Sequence, residues 1–163
     1  MSHLAILERA QRDGLDHVVI LEDDLNFSSG FSDAWPSVES FISSNQYDLF
    51  YPGHTMKSDE SGIVEMPPLR RIECAHFVVF SKSGIARMVD FLRPIPNRAV
   101  GDTVGGGPMH VDGAYNNIRK HNTDFRTFAH FPSLGYQRSS RTDIGKGHIA
   151  DRVPLPRPLA NAA

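Results

Sequence analysis

From Ser2 to Asp13 apolar and polar residues alternate at helical spacing, with Leu4, Leu7 and Ala10 on one face. Ser2 is a plausible N-cap and Gly14 a natural stop, so this stretch predicts a helix. An apolar run follows, and Asp16 to Leu21 predicts a buried strand. Asn26 to Gly30 is rich in turn formers and reads as a loop. Phe31 to Ser44 returns to helical spacing, with Trp35, Val38, Phe41 and Ile42 forming the stripe. Pro36 fits that helix only within its first turn. Tyr47 to Tyr51 predicts a short strand closed by Pro52-Gly53, and His54 to Gly62 an exposed polar loop. Leu69 to Ile72 and Cys74 to Phe80 read as strands. Ser81 or Ser83 caps a helix to about Leu92, with Ile85, Met88, Val89 and Leu92 inward, ended by Pro94 and Pro96. Asn97 to Pro108 carries Gly101, Gly105, Gly106 and Gly107 and reads as a long loop. Asp112 is placed to cap a helix through about His121, and Asp124 to Phe131 is the last expected strand. Beyond Pro132 the pattern is loop-like and ends in the proline-rich stretch Val153 to Pro158.

Helices alternating with strands in this order predict one α/β domain with a mixed sheet, over residues 1–145, and a tail over 146–163. The chain's 163 residues suffice for one domain with a real core. Hydrophobic residues make up 40% and charged residues 22%, with a net charge of −2. Such a balance gives no electrostatic footprint for nucleic acid and no polybasic membrane anchor. No apolar stretch approaches the roughly 18 residues of a membrane span, and the first residues lack the pattern of a signal peptide. The one cysteine, Cys74, excludes an internal disulfide and fits a buried thiol. A cytoplasmic location is the expectation, with peripheral association with a membrane left open.

Candidate chemistry is concentrated where Val18-Val19-Ile20-Leu21 runs into Glu22-Asp23-Asp24. Strand ends at the carboxyl edge of an α/β sheet are where ligands bind. Three adjacent carboxylates repel one another unless a cation or hydrogen-bond donors hold them. The pattern fits an oxygen-ligand site for Mg²⁺ or Mn²⁺ serving a phosphate-bearing substrate, and equally a strand ending in a solvated acidic turn. On an extended strand Glu22 and Asp24 would face one side and Asp23 the other. Asp112, at a helix start after the glycine-rich loop, is a candidate general base or a plain N-cap. His110 is a candidate substrate-binding residue, base or metal ligand, or an ordinary loop histidine. Asp143 could bind substrate from a folded-back tail or sit in a turn. Arg70-Arg71 and Arg138 with Arg141 are candidates for meeting diphosphate charge, exposed arginines being the default. His76, inside an apolar run, reads as a hydrogen-bonded core histidine.

Several segments together resemble the glycosyltransferase family 25 domain, the type of lipooligosaccharide and collagen galactosyltransferases. Ser2-His3-Leu4 looks like that family's opening "SHL" helix, and Leu21-Glu22-Asp23-Asp24 like its "LEDD" strand end. Ala75 to Gly84 is similar to its strand-then-helix segment, with Phe80 or Phe77 at the usual tyrosine. Val111-Asp112 resembles the following "vD" element. Pro132 to Gln137 with Ser140 to Ile144 looks like the closing "Q…SDI" stretch, Thr142 replacing the usual serine. The resemblance implies a GT-A-like mixed sheet flanked by helices, N-terminally truncated because the family's opening strand and arginine-rich turn have no counterpart here. It implies inverting transfer of a hexose from a nucleotide-diphosphate sugar, UDP-hexose being the expected donor, to a saccharide acceptor. Asp24, with Asp23, would hold Mn²⁺ or Mg²⁺; Glu22, Asp23, His110 and Asp143 would contact substrate; Asp112 would take the acceptor's proton. The alternatives are a non-catalytic carbohydrate- or partner-binding remnant of the same fold, and a metal-dependent phosphohydrolase.

Overall fold

The computed structural model describes residues 2–99 and 107–138. Its chain order is α1 (Ser2–Arg12), β1 (His17–Leu21), β2 (Leu25–Phe27), α2 (Phe31–Ser44), β3 (Leu49–Gly53), β4 (Gly62–Glu65), β5 (Phe77–Ser81), α3 (Lys82–Leu92), a short 3₁₀ turn (Ile95–Asn97), α4 (Val111–His121), β6 (Thr127–Phe131) and β7 (Gly135–Gln137). Five strands form one sheet in the order β1-β5-β3-β6-β4. The β3/β6 pair is parallel, and β1/β5, β3/β5 and β4/β6 are antiparallel, so the sheet is mixed.

Helices lie on both faces of this sheet. Leu49, Tyr51, Val78, Phe80, Ala129 and Phe131 join a core built with α1, α3 and α4 through Leu7, Ile85, Met88 and Ile118. Their neighbours Phe50, Phe77, Val79 and Phe128 turn the other way, onto Val38 and Ile42 of α2. Strands β3, β5 and β6 are buried at every residue, as central strands covered on both faces must be. On the sheet's edge, β1 buries only Ile20 fully.

Strand β2 pairs antiparallel with β7 in a separate two-stranded ribbon. The ribbon replaces the loop expected from Asn26 and the loop-like chain expected beyond Pro132. Its partners lie more than a hundred residues apart in sequence, so no local pattern announces them. Leu25 plugs the ribbon into the α2-side core. Gly135 permits that approach, since a Cβ there would lie 2.6 Å from Leu25 Cδ1.

The expected strand at Leu69–Ile72 does not form. Ile72 is buried, but its N–H and C=O are taken by the Asn116 side chain instead of a neighbouring strand. Gly62–Glu65 is the edge strand instead. Pro36 falls in the second turn of α2, not the first. The carbonyl that loses its donor belongs to Ser32; both residues are exposed, so water can serve it. Asp112 is not the cap of α4: His110 occupies that position and Asp112 is the second helical residue. The expectations for Asp143, Arg141, the tail 146–163 and most of the glycine-rich loop fall outside the described residues.

Candidate functional site

Strand β1 ends at Leu21, and the chain turns at once, Leu25 N–H donating to the Glu22 carbonyl at 3.2 Å. Glu22 to Asp24 therefore occupy a tight turn between β1 and β2, not the extended strand end expected. In that turn Glu22 and Asp24 are half-buried and Asp23 is exposed. The turn is pinned on both sides. Glu22 N–H donates to the His76 carbonyl at 2.9 Å, continuing the β1/β5 ladder. From the ribbon, Arg138 N–H donates to the Asp24 carbonyl and its guanidinium to the Asp23 carbonyl, both at 2.8 Å.

Gln137, at the end of β7, donates through Nε2 to Asp24 Oδ2 at 2.7 Å. The other oxygen, Asp24 Oδ1, is buried with no hydrogen-bond partner among the described residues. A buried carboxylate oxygen without a donor is costly unless something positive reaches it. Sequence reasoning missed Gln137 as a contact of the acidic cluster; it stood only within a stretch noted for its resemblance to a family motif.

Asp112 arrives at the cluster from the first turn of α4. Its Oδ2 accepts the Cys74 N–H at 3.2 Å, and Cys74 adopts a left-handed backbone with φ 69° to present it. One turn later Asn116 accepts the Ile72 N–H at 2.8 Å and donates to the Ile72 carbonyl at 2.6 Å, as a neighbouring strand would. The fully buried Arg119 donates to Asn116 Oδ1 at 3.0 Å and to the Pro67 carbonyl at 2.9 Å. Together they lay residues 67–74 along α4 and carry Cys74 to Asp112.

From α1, His3 Nδ1 shares a 2.7 Å hydrogen bond with the buried Tyr115 hydroxyl, and its Nε2 lies 3.8 Å from Glu22 Oε1. Burial raises the Glu22 carboxyl above its ordinary range, and the negative charges of Asp112, Asp24 and Asp23 add to the rise. Burial lowers the His3 imidazole, with Asp112 opposing it. His76 is fully buried as expected; its Nε2–H donates to the Gly135 carbonyl at 3.1 Å. Burial lowers it too, against the pull of that carbonyl, Asp24 and Asp112. Cys74 is half-buried, not the fully buried thiol expected, and that burial pushes its thiol up.

The structure thus brings Asp112 and Asp24 within electrostatic reach of Glu22, and adds His3, Gln137, Cys74 and Tyr115. Asp23 is at the rim. His110 is exposed at the N-cap of α4 and makes no side-chain cap. Arg70 pairs with Glu60 and Arg71 with Glu73. Among the described residues no three His, Cys, Asp or Glu side chains are grouped closely enough to hold a metal ion by themselves, and no helix is long and apolar enough to cross a membrane. No protein-family model matches the chain, and no curated protein matches it significantly.

Proposed function

We propose that this chain is a glycosyltransferase domain of the family 25 type, with a GT-A-like sheet, moving a hexose from a UDP-sugar to a saccharide acceptor. The observation that carries this reading is the buried Asp24 Oδ1 at a sheet edge, without a hydrogen-bond partner among the described residues, near Glu22, whose carboxyl Asp112 also reaches. The mixed sheet with helices on both faces agrees with it.

The donor set suits Mn²⁺ or Mg²⁺ in one specific way. Three protein ligands are lacking among the described residues, but Mg²⁺ that serves phosphates is usually held by one or two carboxylates plus the phosphate oxygens. Asp24 would supply the first ligand, oriented by Gln137. A cation held there would supply positive charge against the charge that develops on a departing diphosphate. Asp23, exposed at the rim, would reach the ribose or the metal's outer shell. Glu22 would hold a sugar hydroxyl, its carboxyl kept in place by His3 and the turn. One Asp112 oxygen accepts the Cys74 N–H; the other would take the acceptor hydroxyl's proton as the new glycosidic bond forms and the bond from the sugar to the diphosphate breaks. His110 and Asp143 remain candidate substrate contacts under this reading.

The test is Mn²⁺-dependent binding of UDP to the full chain, followed by thermal shift and calorimetry. Binding that needs the metal and is lost in Asp24→Asn, with the variant folded by circular dichroism, is the expected result. Equal UDP affinity in wild type and Asp24→Asn would overturn the metal assignment. Absence of any UDP binding would leave the non-catalytic remnant as the better account.

A further inference from the structure

Facing Glu22 from α1 is a histidine whose hydrogen bonding is fixed from behind. His3 lies in the first turn of α1, and Tyr115 stands one turn after Asp112 on α4; both are buried. His3 Nδ1 and the Tyr115 hydroxyl share a 2.7 Å hydrogen bond, and His3 Nε2 lies 3.8 Å from Glu22 Oε1. Burial lowers the imidazole, against the pull of Asp112, so it is neutral at neutral pH and one ring nitrogen carries the proton. Burial raises the Tyr115 phenol well above its ordinary range, so the phenol keeps its own. The hydrogen-bond network assigns the tautomer. The Tyr115 O–H is fully buried, and His3 Nδ1 is its one acceptor among the described residues. A buried donor without an acceptor is costly, so Tyr115 donates and Nδ1 accepts. The imidazole proton therefore sits on Nε2, where an N–H faces the Glu22 carboxyl in place of a lone pair.

At 3.8 Å, Nε2–H and Glu22 Oε1 are too far apart for a good hydrogen bond with each other. They stand as one donor and one acceptor on either side of a gap, and an oxygen about 2.8 Å from each closes a triangle on that base. A hydroxyl fits it, accepting from Nε2–H while donating to Oε1. A phosphate oxygen would satisfy His3 but meet the charge of Glu22, and a cation would satisfy Glu22 but face the His3 N–H. The Glu22 side chain is 31% exposed and that of His3 10%, so the pair lies at the margin of the core and is not sealed within it. Resting on the transfer reading above, we propose that His3 is a specificity-determining residue: locked by Tyr115, its Nε2–H and Glu22 Oε1 together read one hydroxyl of the donor's hexose. The pair then acts on the sugar and not on the nucleotide.

Two measurements on the full chain test this. Nitrogen NMR of labelled histidine, with the His3 signals assigned by their absence in His3→Gln, should show the Nε2–H tautomer in the wild type and a mixture in Tyr115→Phe. Calorimetry with Mn²⁺ compares UDP with UDP-glucose and UDP-galactose. One lost hydrogen bond is worth about fivefold in affinity. His3→Phe should weaken at least one UDP-hexose by about that factor or more and leave UDP within about twofold. His3→Gln places an amide N–H near the imidazole donor and should restore most of the hexose affinity. Tyr115→Phe keeps His3 but frees its tautomer, so it should weaken the same UDP-hexose even where His3→Phe fails to fold by circular dichroism. UDP binding with an Nδ1–H tautomer in the wild type overturns the role of His3 alone. So does a hexose-to-UDP affinity ratio unchanged in both His3→Phe and Tyr115→Phe, or an equal loss of UDP and UDP-hexose, which marks His3 as structural. No binding of UDP or of either UDP-hexose overturns the transfer reading, and this role with it.

Discussion

Acidification should destabilise this protein well above the pH at which ordinary carboxylates titrate, and His54 is the main reason. Its side chain is buried, 3% exposed, at the start of the loop after β3. Nδ1 accepts the Met56 N–H at 3.1 Å, so the proton must sit on Nε2, which donates to the His130 carbonyl at 3.0 Å. The neutral ring is satisfied at both nitrogens. Protonation would turn Nδ1 into a donor facing the Met56 N–H, with no acceptor for either. Burial, opposed by the His130 carbonyl, together with His76, His130 and Arg70 nearby, lowers the imidazole from 6.5 to about 4. The unfolded chain therefore binds more protons than the folded one between these values. By linkage, stability rises with pH through that window and is lost as pH falls through it. At about 1.4 kcal/mol per pH unit, the full loss is about 3 kcal/mol, of which about 2 kcal/mol is gone by pH 5. Since a domain of this size is stable by roughly 5–15 kcal/mol, the change is readily measured. Urea unfolding followed by Trp35 emission at pH 7.5, 6 and 5 provides the measurement. His54→Asn keeps an acceptor near the Nδ1 position and cannot titrate; it should be less stable at pH 7.5 and show a shallower pH slope. His3 and His76, also lowered by burial, retain part of the slope. A stability that is flat from pH 7.5 to 5, or an unchanged slope in His54→Asn, would refute the account.

Two further outcomes concern packing that positions the site. Gly84 of α3 lies against the residue just before β3, and a Cβ there would stand 1.8 Å from the Asp48 carbonyl oxygen, which is backbone and cannot swing away. Gly84→Ala should cost about 1–3 kcal/mol or more in urea unfolding, and a loss under 0.5 kcal/mol would contradict the contact. Asn116→Ala strips the Ile72 N–H and C=O of their partners and removes one acceptor of the buried Arg119. A loss of about 1–3 kcal/mol is expected, with the Ile72 and Cys74 amides exchanging faster than those of β5; unchanged protection at Ile72 would show that Asn116 does not clamp this segment.

Much of the fold was legible because short-range patterns carried it. The helices α1, α2, α3 and α4 and the strands β1, β3, β5 and β6 fall where periodicity and apolar runs place them, and of the two candidate caps of α3 it is Ser81, not Ser83, that accepts the Gly84 N–H, at 3.2 Å. The acidic turn was visible as three carboxylates after an apolar run, and Asp112 as an acid near a helix start. Other features had no local signature. Ile72 carries the alternation of a strand residue, yet a side chain 44 positions later satisfies its backbone. Gln137 is one polar residue in an unremarkable stretch until β7 pairs with β2 and sets it on Asp24.

Sequence alone determined which residues are apolar, where the chain turns, and that Glu22, Asp23 and Asp24 are consecutive. Those properties are local, since backbone preference and side-chain period act over a few residues. Tertiary structure decided which of these carboxylates is left with a buried oxygen that has no partner among the described residues, which is shielded, and which faces water. That choice depends on Gln137, Arg138, His3 and Cys74, brought from both ends and the middle of the chain. Their positions follow from burying both faces of one sheet, a condition no short window of residues contains.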